Sequence, residues 1–342
     1  MNLGHEIKTV LVTGGTGFVG GAVAQRLRTE NCAVRALVRR NSDTAALTAA
    51  GCDLRYGDIA DPASVRDAME GADAVVHCAA LASDWGPREA FERVNVEGSR
   101  NIFDATLQHS VKRVVHISTT DVYGTYDDGR VIDESFPLQV TGFPYSDTKA
   151  EAEKIAFAYA QEPGLPVVVI RPTFIYGPGD RTFLPEVVDA MRRHEMAFFG
   201  SADNTIPLCY IDNLVDAVLL ALTRDEAVGQ GYIVSDGAVV SWKELTDLLA
   251  DRLDLPKVKR TIPLSAAKAV AVGAETLAKL EKSTQRPALT RYELAFGGRD
   301  LRYSNGKIVR ELGFSPRVLP EEGLARTIEW LKSVDLSMIK TK

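Results

Sequence analysis

Thr9-Val10-Leu11-Val12-Thr13-Gly14-Gly15-Thr16-Gly17-Phe18-Val19-Gly20 joins a short β-branched run to a glycine-rich turn, and a helical pattern continues from there through Val23 and Leu27. Glycines at 14, 17 and 20 have the spacing that makes a tight turn, lets a pyrophosphate approach the backbone and brings helix against strand. Such a pattern is weak in isolation. At the first strand-to-helix junction of an alternating chain it points to a dinucleotide, with Gly14, Thr16, Gly17, Phe18, Val19 and Gly20 as its contacts.

The alternation extends outward from that junction. AVRALVR (33–39), DAVVHCAA (73–80), KRVVHIST (112–119) and LPVVVIRP (165–172) are continuous apolar runs, separated by helical patterns over Gly20–Thr29, Asp61–Met69, Phe91–Gln108 and Tyr145–Gln161. Runs apolar at every position are strands buried on both faces, so the class is α/β with a doubly wound parallel sheet. Beyond Arg171 the pattern loosens. A helix is expected over Leu184–Arg193, a strand end running into a buried helix over Cys209–Leu222, a short strand at YIVSDG (232–237), and helices over Trp242–Leu253 and Leu264–Leu280. Ser241 with Glu244 forms a capping box before the first of the last two. Residues 1–178 and 205–230 are expected to form the dinucleotide-binding domain, and 179–204 and 231–342 a smaller, mixed substrate-binding region.

Composition excludes several classes. At 342 residues, 45% hydrophobic and 25% charged, the chain is an ordinary globular protein. Forty Lys+Arg against 46 Asp+Glu give a net charge of -6, with no basic run to follow a nucleic acid backbone. Cys32, Cys52, Cys78 and Cys209 form no close pair, so buried free thiols are expected and no metal site. The opening MNLGHEIK passes straight into a strand without a signal-peptide pattern, which points to the cytoplasm. Leu264–Leu280 carries Lys268, Glu275 and Lys279 in a span too short for a bilayer, so no transmembrane segment is expected.

Val38-Arg39-Arg40 ends the second strand where a carboxylate would hold a ribose 2′-hydroxyl. Two guanidiniums there attract a 2′-phosphate, so NADP(H) is expected ahead of NAD(H). Asp58, with Ile59 beside it, follows the third strand; it reaches toward the adenine or simply forms a turn. Tyr145 and Lys149 are four residues apart in YSDTK and so share a helix face, where an ammonium beside the phenol would favour its ionised form.

Taken together, TGGTGFVG, HCAA, RVNVEG, STTDVYG, YSDTK, RPTFIYGPGD and YIDN make the chain resemble an extended short-chain dehydrogenase/reductase over essentially its whole length. This family includes sugar-nucleotide epimerases and 3β-hydroxysteroid dehydrogenase-like reductases. The resemblance implies a Rossmann fold, a homodimer, and a catalytic set of Thr119, Tyr145 and Lys149, with Ser118 and Thr120 as second choices for the hydroxyl. Tyr145 would exchange a proton with the substrate oxygen, Lys149 would hold the nicotinamide ribose and lower the phenol pKa, and Thr119 would bond the same oxygen. Asn95 would order the helix and loop near the nicotinamide, with Ala79, Ala80, Pro172 and Thr173 also against the cofactor.

The reaction is narrowed by what is missing. A 4,6-dehydratase of this family would show Thr-Asp-Glu where this chain has Thr119-Thr120-Asp121. Many epimerases place an arginine where this chain has Ile206, and Arg181 is the candidate to substitute for it. Trp85, Thr120, Phe174 and Phe183 are the candidate substrate contacts, with Phe143, Phe198 and Phe199 near the same loops, and Leu264–Leu280 is expected over the site. These features favour an NADP(H)-dependent alcohol/ketone oxidoreductase acting on a bulky, largely apolar substrate: a 3-hydroxysteroid, a 2-alkyl-3-oxoalkanoate or a dihydroflavonol-like ketone. A sugar-nucleotide 4-epimerase and a non-catalytic NADP(H)-sensing binder are the alternatives.

Overall fold

A computed structural model describes residues 7–126, 128–162 and 164–335. The first six residues of the opening stretch lie outside them. Strands β1 (Thr9–Thr13), β2 (Ala33–Val38), β3 (Asp53–Tyr56), β4 (Ala74–His77), β5 (Arg113–Ile117) and β6 (Val167–Pro172) are separated by α1 (Phe18–Thr29), α2 (Ala45–Ala49), α3 (Pro62–Met69), α4 (Arg88–Phe91), α5 (Gly98–Gln108) and α6 (Pro144–Gln161). There follow β7 (Phe174–Tyr176), α7 (Leu184–Arg192), β8 (Phe198–Phe199), β9 (Thr205–Tyr210), α8 (Ile211–Thr223), β10 (Gly231–Val234), β11 (Val239–Ser241), α9 (Trp242–Leu253), β12 (Thr261–Ile262) and α10 (Leu264–Leu280). The last helices are α11 (Arg291–Gly297), α12 (Gly306–Leu312) and α13 (Pro320–Ser333).

The main sheet runs β10-β6-β5-β4-β1-β2-β3, all parallel. Its side chains alternate as the pleat requires. Val10 and Val12 face one core with Val23, Ala24 and Leu27 of α1 and most of α8, while Leu11 and Val75 face the other with α3 and α5. The order reverses between β1 and β4, and a crevice for a ligand opens at such a switch point, beyond the carboxyl ends of the strands.

Two expectations are corrected. Residues 231–234, assigned to the substrate region by a boundary at 230, form the seventh strand of the main sheet, paired with β6. The helix expected as one piece over Phe91–Gln108 is three: α4, a π-helical segment Glu92–Glu97, and α5. A third core gathers Leu184, Val188, Leu245, Leu249 and Ile328 around β9 and holds the C-terminal region against the sheet. The Ser241/Glu244 capping box is present. Among the described residues no helix is long and apolar enough to cross a membrane, and no three or more His, Cys, Asp or Glu are grouped to hold a metal ion.

Candidate active site

The glycine turn is shaped by what a side chain there would strike. Gly14 sits at φ +68°, and a Cβ on it would lie 2.8 Å from the Ala79 nitrogen; on Gly20 it would lie 2.3 Å from the Gly14 carbonyl oxygen. The turn thus brings β1, α1 and the end of β4 together. The N-terminus of α1, with Gly17 at its cap and Phe18 and Val19 next, has no side-chain cap, so its N–H groups would receive an anion. This cradle fits a dinucleotide pyrophosphate. Thr16 is half-buried beside it, as are Ala79, whose N–H donates to Thr13 Oγ1 at 3.2 Å, and Ala80.

Arg39 and Arg40 follow β2 directly and are exposed, with neither in an ion pair among the described residues. Asp58 forms the turn: its Oδ1 accepts the Ala60 N–H at 2.9 Å. Ile59 is buried under Gly98, where an added Cβ would meet it at 2.8 Å.

Asn95 lies in the middle of the π-helical segment, 1% exposed. Its carbonyl accepts the Leu81 N–H (2.8 Å), and its amide donates to the Leu81 carbonyl (3.2 Å) and to Thr148 Oγ1 (3.1 Å). One amide therefore ties the loop after β4 to α6, one residue before Lys149. His77 is a packed, neutral side chain: Thr13 Oγ1 lies 2.7 Å from one ring nitrogen and Ser99 Oγ 3.0 Å from the other. Burial, aided by Lys149, pushes it down to about 3.

Pro144 starts α6, so Tyr145 stands in its first turn, and Lys149 follows one turn later. Lys149 is buried, and its Nζ donates to the Ile117 carbonyl at 2.6 Å. Burial pushes it down to about 8, against the pull of Glu153 and Cys78. Tyr145 is held well above the ordinary tyrosine range, first by burial and then by the Asp121 carboxyl, while its hydrogen bond with Thr119 acts the other way. This corrects the expected lowering by Lys149, whose ammonium is committed to Ile117. Thr119 Oγ1 also accepts the Asp121 N–H at 3.2 Å, capping a 3-10 turn over Thr120–Tyr123. Thr120 donates to the Pro172 carbonyl at 3.4 Å, and Thr173 bonds the Val234 carbonyl through both its N–H (3.1 Å) and its hydroxyl (3.4 Å).

The candidate substrate aromatics separate. Phe174 and Phe183 meet each other at 5.2 Å between ring centroids, and Phe183 meets Trp242 at 6.2 Å, all within the third core. Trp85 is half-buried next to Asp84. The wall over Tyr145 is instead α11. Tyr292 stands edge-on to Tyr145 (6.4 Å) and Phe143 (5.5 Å) and lies against Phe296 (4.7 Å), and its hydroxyl donates to Asp121 Oδ2. Asp84 latches this segment by accepting from Arg286 Nε (2.8 Å) and Thr290 Oγ1 (2.9 Å). Helix α10, expected over the site, packs beneath α11 through Ala267, Ala271 and Leu294. A cavity of about 230 Å³ opens beside Phe143 and Phe296, lined also by Tyr123, Tyr126, Gln139 and Thr141.

Sequence reasoning therefore missed Asp84, Tyr292 and Phe296, and gave Asp121 no role. One signal was available: Thr290 three residues before Glu293 is a helix start, and aromatics at 292 and 296 share a face of that helix.

Residues 10–235 match the model of the NAD dependent epimerase/dehydratase family. The chain is 33% identical over 318 residues to a 4-hydroxy-2-methyl-3-oxo-4-farnesyl-3,4-dihydroquinoline-1-oxide ketoreductase of Stigmatella aurantiaca, covering 92% of this chain and 93% of the relative. It is 32% identical over 324 residues to a 2-alkyl-3-oxoalkanoate reductase of Stenotrophomonas maltophilia, covering 93% and 97%. Among solved structures it is similar to a dTDP-glucose 4,6-dehydratase from Streptomyces venezuelae with NAD bound, with TM-score 0.77, 27% identity and coverage of 94% and 96%.

Proposed function

The chain belongs to the NAD dependent epimerase/dehydratase family, and from that premise we propose that it is an oxidoreductase reducing a ketone to a secondary alcohol on a bulky, largely uncharged substrate. One observation carries the reading: the Tyr145 phenol, with Lys149 one turn further along α6, stands under an aromatic wall with Tyr292 edge-on to it. A protonated Tyr145 is a proton donor at neutral pH, which is what reduction of a carbonyl asks for. The ketone-reducing activities named for two relatives spanning over nine-tenths of the chain support the same chemistry.

When bound, the nicotinamide supplies the hydride. The glycine cradle would hold the pyrophosphate and Lys149 the adjacent ribose. Thr119 orients the carbonyl oxygen, and Tyr145 gives it the phenolic proton as charge develops. Tyr292, Phe296 and Phe143 exclude water from that transfer and cover apolar parts of the substrate. Arg39 and Arg40 favour NADP(H) over NAD(H). A homodimer and a cytoplasmic location complete the proposal. An assay following NADPH and NADH absorbance with steroid ketones, 2-alkyl-3-oxo acids, hydroxy-oxoquinoline N-oxides and UDP- or dTDP-sugars tests it. Cofactor consumption is expected with the ketones, and its absence with all of them would refute the reading.

A second reading, a sugar-nucleotide enzyme, is favoured by Arg299, whose Nε is buried without a hydrogen-bond partner among the described residues. The next residue, Asp300, binds the N–H of Thr205, the neighbour of Ile206. Ile206 itself is 1% exposed and offers a diphosphate nothing. Stabilisation by UDP or dTDP in a thermal shift assay, lost on Arg299→Ala, would promote this reading over the first.

A further inference from the structure

Helix α10 carries its larger apolar side chains on the outside. Its inner side is small, Ala267 and Ala271 packing on Leu294, and is anchored by buried Glu275, which accepts from Arg291 Nε at 2.8 Å. Val270 is 63% exposed, Val272 43%, Leu277 57% and Leu280 77%. Exposed apolar residues scattered singly are ordinary on a protein surface, but four of the twelve large ones among the described residues fall on this one helix. They also share a side. At about 100° per residue they occupy an arc of about 160° running from Val272 round to Val270; the arc holds no charged residue, and Ser265 and Thr276 are its only polar ones.

The cations lie at the rim of this face. Lys268 and Lys279 border the arc on one side, Lys259 and Arg260 precede the helix across β12, and Lys282 follows its end. All five are exposed, and none is in an ion pair among the described residues. Between residues 259 and 282 the only acids are Glu275, on the inner side, and Glu281, although the whole chain carries a net charge of -6.

We propose that α10 is a docking helix for an anionic lipid surface, lying in the headgroup plane with its outward Val and Leu side chains at the acyl boundary and its lysines among the phosphates. A lipid surface answers both features at once: acyl chains cover the apolar arc, and anionic headgroups meet the cations at its border. A second copy of the chain fits less well. An isologous contact would set this face against itself, ringing an apolar seam with like charges and leaving only Glu281 to meet them. Crossing the bilayer is excluded for this helix, since its 17 residues rise about 25 Å, include two lysines and are covered on the inner side by α11.

Docking on this side bears on the site. Helix α11, which packs on α10 through Leu294, carries Tyr292 and Phe296 over Tyr145. The lipid would therefore lie one helix layer from the substrate wall, and an apolar ketone would reach the site from the bilayer. That consequence rests on the ketone-reducing reading above; the docking itself does not.

The test is sedimentation of the full-length protein with vesicles of phosphatidylcholine alone and of phosphatidylcholine mixed with phosphatidylglycerol, at low and raised salt. The parent should sediment with the mixed vesicles, less so as salt rises, and weakly with the neutral ones. Lys268→Ala with Lys279→Ala should weaken binding about fivefold per cation, hence about 25-fold for the pair. Leu277→Ser with Leu280→Ser should weaken it about tenfold or more at either salt concentration. Thermal melting of each variant should match the parent, since all four positions are exposed. A parent that stays in the supernatant with the mixed vesicles overturns the proposal, as does binding that both pairs of substitutions leave unchanged. If the parent ignores vesicles and the serine substitutions split a larger species into a smaller one in sedimentation velocity, the face is an interface between copies and the proposal falls. The measurement needs no turnover, so an enzyme that reduces no ketone overturns the functional reading and leaves this inference standing.

Discussion

Replacing Asp121 with Asn should stabilise the protein in a way that depends on pH. Its carboxyl is raised from 3.8 to about 6 because burial penalises the charged form more than Tyr292 and Thr119 support it. A displacement of about two pH units corresponds to about 3 kcal/mol, and for an acid raised on folding this is a cost. The cost is absent below the unfolded value of 3.8, grows as pH rises toward about 6 and is complete above that. At pH 5 roughly half is present. Asparagine fills the same space, accepts a hydrogen bond and never ionises. Its stability relative to the parent should thus be about 1 to 1.5 kcal/mol more favourable at pH 8 than at pH 5, with an allowance for partial solvent screening. Urea denaturation of both proteins at the two pH values reads this directly, since the slope with denaturant should not differ between them. A stability difference of the same size at both pH values would refute the reasoning, because it would place Asp121 at an ordinary carboxylate pKa in the folded state.

Tyr145→Phe should bind cofactor nearly as the parent does and turn over at least about 100-fold more slowly, since only the transferable proton is removed; turnover within threefold of the parent, with titrated cofactor affinity, would contradict it. Arg39→Ala should weaken NADPH by about 1.5 to 3 kcal/mol and NADH little, with Arg40 contributing less, and calorimetry showing the parent to prefer NADH would overturn the cofactor choice. Asp84→Ala releases Arg286 and Thr290 together and should raise KM about fivefold with kcat nearly kept, about 1 kcal/mol of lid closure lost. A fall in kcat at constant KM would instead give Asp84 a part in the chemistry.

The sequence shows a strand plainly where burial is two-sided. Every residue of β4, β5 and β6 is buried, and each carries adjacent β-branched apolar residues, Val75-Val76, Val114-Val115 and Val167-Val168-Val169-Ile170. Asp53–Tyr56 leaves no such run, because β3 is the edge of the sheet and Tyr56 is 51% exposed. The π-helical insertion was equally hidden: hydrophobic periodicity cannot show one backbone register slipping to aim Asn95 at Leu81 and Thr148. At the site, Tyr145, Lys149 and the glycines lie in local motifs whose spacing is visible in the sequence, and Thr119 is reached through the family resemblance. Asp84 and Asp121 meet their partners across 202 and 171 residues of chain. Pairing at that distance is decided by how α11 folds back, which no local pattern records.

The seventh strand has a consequence for how this protein is made. Translation finishes Val167–Pro172 and then produces about sixty further residues before Gly231–Val234 emerges to pair with it. At 5–20 residues per second that is several seconds during which β6, rich in valine, is an open edge on a partly folded sheet. The Val-Val-Val-Ile sequence needed to bury both faces in the finished molecule is, in that interval, a template for another nascent chain. Fragments ending anywhere between β6 and β10 should therefore precipitate rather than behave as a free-standing nucleotide-binding unit, and the yield of the intact protein should depend on chaperone supply during that window.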